Sequence, residues 1–192
     1  MSEIIPTVFT IDGVSNSTLS FYVLDGWGRQ MLPGTRDRTA EIPGKDGDYW
    51  FASDLTQRAF NIPGYIVATS ESDLNSKIRA QARKFVDANG KPRNISLIFT
   101  DEPLLTYTVR FNSGVDFSRW ISNTRGRFEI PLVADDPYAY EAEQTDEATI
   151  TTSGGTMVVT GSGTVSTPAI LTITNNGVDP IAGFVITIEY EV

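Results

Sequence analysis

Between residues 95 and 140 apolar and polar positions alternate with a period of two in three separate runs. Ile95, Leu97 and Phe99 alternate with Ser96, Ile98 and Thr100, and Tyr107, Val109 and Phe111 alternate with Thr108 and Arg110. Phe128, Ile130, Leu132 and Ala134 alternate with Glu129, Pro131 and Val133. Such alternation of β-branched and aromatic residues predicts half-buried strands, because successive side chains on a strand point to opposite faces. Asp101-Glu102-Pro103 breaks the first two runs apart as a turn, since proline fixes φ and aspartate bonds its own backbone. Asp135-Asp136-Pro137-Tyr138 stops the third.

Upstream, residues 8–11 and 19–24 read as short strands, each followed by an Asp-Gly pair (Asp12-Gly13 and Asp25-Gly26), and together they predict an N-terminal hairpin. Residues 26–54 show little periodicity and contain Arg29, Arg36 and Arg38. An aperiodic stretch of this length predicts an arm or binding loop. Within it, Pro43-Gly44 and Asp46-Gly47 are successive turn signals. The neighbourhood of Lys45 is glycine-rich, but it lacks the spacing and the Lys-Ser/Thr pair of a phosphate loop, so a tight turn is the reading. Residues 58–67 form a further strand, in which Pro63-Gly64 suggests a bulge or an edge position.

One segment has helical rather than strand periodicity. Residues 71–89 carry Leu74, Ile78, Ala82, Phe85 and Val86 on one stripe, with Lys77, Arg79, Arg83 and Lys84 towards the other side. Ser70 is placed as N-cap with Asp73 three residues on, and Gly90 and Pro92 supply the stop. After Tyr140 the texture changes. Residues 141–147 are polar and acidic, and 149–192 are rich in Thr, Gly and Val, with candidate strands at 157–159, 169–174 and 184–190. The whole predicts a mainly β chain. An antiparallel β-sandwich or split-barrel domain with one packed helix spans 1–140, a linker spans 141–148, and a small or truncated all-β unit spans 149–192.

Composition narrows the chemistry. The chain has no His and no Cys, which removes the commonest general base, the commonest metal ligand and every thiolate or disulfide. No apolar run is long enough for a membrane span and the first residues lack a signal-peptide pattern, so no membrane role is expected. Charge is uneven: residues 1–127 hold 15 Lys and Arg against 14 Asp and Glu, a net of +1, whereas 128–192 hold 10 Asp and Glu and no base, a net of −10. An acidic half does not bind nucleic acid by neutralising phosphates.

The close carboxylate pairs are Asp46/Asp48 and Asp135/Asp136. Neighbours on a strand face opposite sides, so Asp135 and Asp136 do not flank one substrate, and Asp46/Asp48 lack the spacing of a calcium loop. No catalytic constellation, cofactor site or metal site follows. Trp27, Tyr49, Trp50, Phe51 and Trp120 are candidates for stacking on sugars or for core and interface packing.

The ordered features resemble the distal tail protein (Dit) family of long-tailed, non-contractile phages, the siphovirus-type tail component. The residues that carry the resemblance are the N-terminal strands, then Ile42-Pro43-Gly44-Lys45-Asp46-Gly47, then Arg58-Ala59-Phe60-Asn61-Ile62-Pro63-Gly64-Tyr65. The single helix follows, then Ile98-Phe99-Thr100-Asp101-Glu102-Pro103 with Tyr107, and Gly126-Arg127-Phe128-Glu129-Ile130 leading into Asp136-Pro137-Tyr138. The resemblance implies a structural virion protein without enzymatic activity. It implies a hexameric homo-oligomeric ring at the distal end of the tail, built by a domain related to tail-tube proteins. That ring would enclose a channel through which DNA passes without specific binding. Implied partners are the tail tube protein, the tail-associated tip protein and a receptor-binding protein. Implied localisation is the virion, the protein being made in the host cytoplasm or encoded by a prophage.

For such a ring, Arg36, Arg38, Lys45 and Asp46 are the candidate intersubunit arm, and Trp27, Trp50 and Trp120 the candidate aromatic interface. Two alternatives remain at this point. A tail-tube-type subunit would stack into long tubes, and a carbohydrate-binding module would be a monomer using its tryptophans as platforms.

Overall fold

The computed structural model describes residues 7–119, 122–151, 155–159 and 170–179. The chain divides into two compact units, Met1–Gln144 and Thr145–Val192. In the first unit, the block from 95 to 140 folds as its alternation predicts. Strands β7 (Asn94–Phe99) and β8 (Thr106–Phe111) pair antiparallel, with Ile95 opposite Val109 and Leu97 opposite Tyr107. Strand β10 (Arg125–Ala134) joins β8 through Leu132 and Phe111. Strand β6 (Arg58–Val67) runs the full length of β10, from Arg58 opposite Ala134 to Val67 opposite Arg125. The inward positions Ile95, Leu97, Phe99, Tyr107, Val109, Phe128, Ile130, Leu132 and Ala134 are all buried.

The N-terminal strands pair differently from expectation. Strand β1 (Phe9–Ile11) turns at Asp12-Gly13 into β2 (Val14–Ser15), not into the strand at 21–23. Asp12 and Gly13 both have positive φ, 47° and 75°, so this is a two-residue turn whose twist matches its strands. The Asp-Gly signal was correctly placed, but it closes a shorter hairpin. Strand β3 (Phe21–Val23) pairs with β6 instead, and β1 pairs with β7. The sheet therefore runs β2-β1-β7-β8-β10-β6-β3, with β9 (Ser118–Arg119) beside β10.

Its two ends curl until they meet. Asn16, fully buried, sits in the seam. Its backbone N–H donates to Phe9 O at 3.1 Å and its carbonyl accepts from Phe21 N at 2.9 Å. Its side-chain oxygen accepts from Val8 N at 2.8 Å, and its amide nitrogen donates to Phe21 O at 2.9 Å. Behind the seam the rings of Phe9 and Phe21 meet edge to face at 5.9 Å, and Phe21 lies 5.0 Å from Phe128. The core is the inside of this split barrel, filled by Phe9, Phe21, Phe60, Phe99 and Tyr107 with aliphatic neighbours.

Pro63 and Pro131 lie inside the β6–β10 ladder rather than at a bulge or an edge. The carbonyl of Pro63 accepts from Leu24 N and that of Pro131 from Asn112 N, each outside the β6–β10 pair. On a strand, a residue's N and O point to the same side. Both missing N–H groups therefore face away from the β6–β10 ladder, where β3 and β8 are ending, and no ladder bond is lost. Gly64 is needed for close approach: a Cβ there would sit 2.4 Å from the Phe21 ring and from Tyr22 O.

Helix α1 (Glu71–Ala82) starts as predicted, with the Ser70 hydroxyl accepting from Asp73 N at 3.1 Å. It ends seven residues before the end of the expected 71–89 span. Residues 83–85 tighten into i→i+3 bonds, Lys84 N to Gln81 O and Phe85 N to Ala82 O. Arg93 holds this end by donating from Nε to Lys84 O at 2.9 Å and from its backbone N–H to Phe85 O. Gly90, with φ 75°, completes the following turn. Leu74 is buried, and so is Gln81, whose Nε2 donates to Leu19 O at 2.8 Å.

In the second unit, residues 157–159 and 170–174 carry no strand. Val158, Ile170 and Val178 are largely exposed there, as expected where a short unit has little core to bury them in. The strand expected at 184–190 lies outside the described residues.

Candidate functional site

The long segment at 26–54 is loop only in part, at 26–34 and 41–48. It folds into a separate two-stranded sheet, β4 (Thr35–Ala40) against β5 (Tyr49–Leu55). Thr56 N donates to Gly34 O at 2.8 Å, so the two strands leave the barrel and return to it at one point. Nearly every residue of the hairpin is exposed, including Trp50 at 64% and Phe51 at 67%. The pairing shifts between Arg38 and Thr39, leaving Phe51 without an opposite residue as the extra position of a β-bulge. An isolated two-stranded hairpin is marginal in water. Trp50 and Phe51 are adjacent on it and form an exposed apolar patch of the kind found at interaction sites.

All four candidate arm residues come together on this hairpin. Arg36 and Arg38 project from β4, and Lys45 and Asp46 lie in the turn that joins the strands. Arg38 is held within the hairpin: its Nε donates to Asp54 Oδ2 at 2.9 Å, with Nη2 on the same oxygen. Arg36 stands 3.9 Å from that carboxylate and is far more open, its side chain 77% exposed. The Lys45 ammonium lies over the Tyr49 ring. On the opposite face, Trp50 Nε1 donates to Ser53 Oγ at 2.9 Å, and Ser53 donates to Asp37. Asp54, which organises both arginines, carried no signal in the sequence beyond its charge.

The candidate aromatic interface is not one surface. Trp27 packs against the core and stacks on Phe99 at 5.6 Å, whereas Trp50 is on the hairpin; Trp120 lies outside the described residues. Beside Trp27, Arg29 covers the other part of Phe99 with its guanidinium 4.3 Å from the ring and pairs with Asp101 and Glu102. These contacts anchor the start of the 26–54 segment to the barrel.

Asp135 and Asp136 have separate structural partners. Asp135 accepts from Arg110 Nε at 2.7 Å and Nη2 at 3.0 Å. That hydrogen-bonded ion pair holds the Asp135 carboxyl below its usual range, and burial only partly opposes it. Asp136 instead accepts from the Tyr140 hydroxyl at 2.7 Å, which pushes the Tyr140 phenol upward. Among the described residues no group of three or more acidic side chains is placed to hold a metal ion. No helix among them is long and apolar enough to cross a membrane.

Residues 14–134 match the phage tail protein RIFT-related domain. The chain belongs to that family. The matched region of this phage tail protein begins at β2 and ends with β10, so it contains the exposed hairpin, α1 and the whole β6–β10 ladder. The fold is similar to the crystal structure of the SPP1 Dit protein, gp 19.1, described as a paradigm of the hub adsorption apparatus in phages infecting Gram-positive hosts. The TM-score is 0.59 at 17% sequence identity, over 71% of this chain and 53% of that one. The phage tail chain thus spans about half the length of that solved relative. No curated protein matches the sequence. Family and fold are those of structural tail proteins, in agreement with the resemblance read from the sequence.

Proposed function

We propose that this phage tail protein is a structural hub at the distal end of a siphophage tail. Copies close into a hexameric ring around a channel through which DNA passes without specific binding. The ring joins the tail tube to the tip protein and the receptor-binding apparatus. Residues 1–140 build the ring, 141–148 link, and 149–192 form the outer unit. The role is structural rather than catalytic, and the protein is made in the host cytoplasm, or encoded by a prophage, and resides in the virion.

The observation that carries this reading is the exposed β4–β5 hairpin on a barrel of the tail family. A ring of identical subunits uses a heterologous contact, in which one patch meets a different patch on the next copy. A hairpin that leaves its own barrel with Trp50 and Phe51 uncovered is suited to be one such patch. The acidic balance of the chain, −9, favours release of DNA over its retention.

Negative-stain images of the purified protein test the reading. Closed rings with an open centre support a hub. Long tubes favour a tail-tube subunit. A carbohydrate-binding module is less well supported, because Trp27 is stacked on Phe99 at the barrel while Trp50 stands apart from it on the hairpin, so the two do not form one platform.

A further inference from the structure

We infer that the β4–β5 hairpin of one copy seats Phe51 in the apolar cavity between α1 and the sheet of a second copy. The inference rests on the ring reading above and names its contact. The cavity has a volume of about 250 Å³ and is lined chiefly by Ile78, Phe85, Phe111, Val115, Phe117 and Phe128. The polar residue in its wall, Gln81, donates its amide to Leu19 O. An apolar cavity of roughly 150 Å³ accommodates benzene, so this one has room for a phenyl ring. Val115, 38% exposed, and the exposed Ala82 leave it accessible from the surface.

On the hairpin, Phe51 is the complementary element. It is the bulged residue, 67% exposed, and has no polar atom to desolvate. Its neighbour Trp50 has its indole N–H committed to Ser53.

Charge gives a second, independent match. Arg79, exposed on α1, and Arg83, exposed at its C-cap, lie four residues apart and adjoin the cavity residues Ile78 and Ala82 in sequence; they outnumber the one exposed acid, Asp116, between Val115 and Phe117. Like charges at that spacing repel, and neither has an ion-pair partner among the described residues. The hairpin offers the opposite sign. Arg36 and Arg38 are turned towards Asp54 and Lys45 lies over Tyr49, while Glu41, Asp46 and Asp48 stay exposed with no ion-pair partner among the described residues. An apolar knob beside unpaired carboxylates thus faces an apolar hole beside unpaired guanidiniums. Every copy carries both halves, so the contact repeats from subunit to subunit.

The chain contains no Cys, so a disulfide can report this contact directly. Phe51→Cys and Val115→Cys proteins, distinguished by tag size, are mixed in equal amounts and mildly oxidised. A cross-linked species containing both variants is expected, well above that from Leu104→Cys mixed with Val115→Cys. Separately, Arg79→Glu/Arg83→Glu is expected to weaken association roughly tenfold or more, with recovery when mixed with Asp46→Lys/Asp48→Lys protein. Rings that form while the Phe51/Val115 cross-link stays at the Leu104 control level overturn the docking and leave the ring standing. A wild-type chain that remains monomeric overturns both.

Discussion

Asn16 and Phe21 hold each other across the barrel seam through two bonds, Asn16 Nδ2 to Phe21 O and Phe21 N to Asn16 O, both at 2.9 Å. The same Asn16 side chain accepts from Val8 N on the other side of the seam. One buried amide therefore links the two ends of the curled sheet. Asn16→Ala leaves the Val8 and Phe9 N–H groups and the Phe21 carbonyl without that partner, at about 1–3 kcal/mol for a buried unsatisfied group. Urea unfolding should show a lowered midpoint of that size, while Ser17→Ala, on the same turn, changes little.

Gly64→Ala should destabilise by overpacking rather than through backbone strain. The added methyl would sit 2.4 Å from the Phe21 ring and from Tyr22 O, and the backbone oxygen cannot rotate away. Overpacking of this kind costs about 1–3 kcal/mol or more. Combined with Phe21→Leu, which itself removes core packing, Gly64→Ala should cost less than it does alone, so the double variant loses less than the sum of the two singles: the ring clash is removed and the backbone clash is not. A thermal melt of the single and double variants checks this.

Acid should unfold the barrel through its paired carboxylates. Arg110 lowers Asp135, and although burial opposes the Asp12 charge, the Ser96 N–H and Arg93 lower it overall. A folded-state pKa below the unfolded one stabilises the native state above the ordinary carboxylate pKa. That contribution disappears as pH falls through the lowered value. Stability should therefore be level near neutrality and drop on entering the carboxylate range, with a shallower drop in Asp135→Asn. Urea midpoints measured across that range decide it.

Removing the hairpin should separate folding from assembly. Gly34 and Thr56 are already hydrogen-bonded, so a short Gly-Ser turn can replace 35–55 without moving the barrel. Because β4 and β5 pack on each other and the core lies elsewhere, unfolding stability should change by no more than ~0.5 kcal/mol. Self-association should be lost. A barrel that no longer folds would contradict the independence of the two sheets.

What the sequence revealed follows from where its signals are local. The strands at 95–99, 107–111 and 128–134 each have one buried face, so alternation marks them. β4 and β5 escaped because neither face is buried: Thr35, Arg36, Asp37, Arg38 and Thr39 present no apolar period. The Asp12-Gly13 turn was legible, but the partner of 21–23 was not, since its pairing with β6 depends on contacts some forty residues away. Asn16 stands among Ser15, Ser17 and Thr18, a run with surface composition, and nothing local marks it as buried. Whether Trp27 is a stacking platform or a packing residue is not legible locally, because its partner Phe99 is distant in sequence.

The most direct test of the hub reading is the absolute mass of the purified protein by light scattering across a range of concentrations. The account predicts a discrete species at six times the 21.0 kDa chain mass that persists on dilution. A mass of one chain at every concentration, or an open-ended rise with concentration, would contradict it.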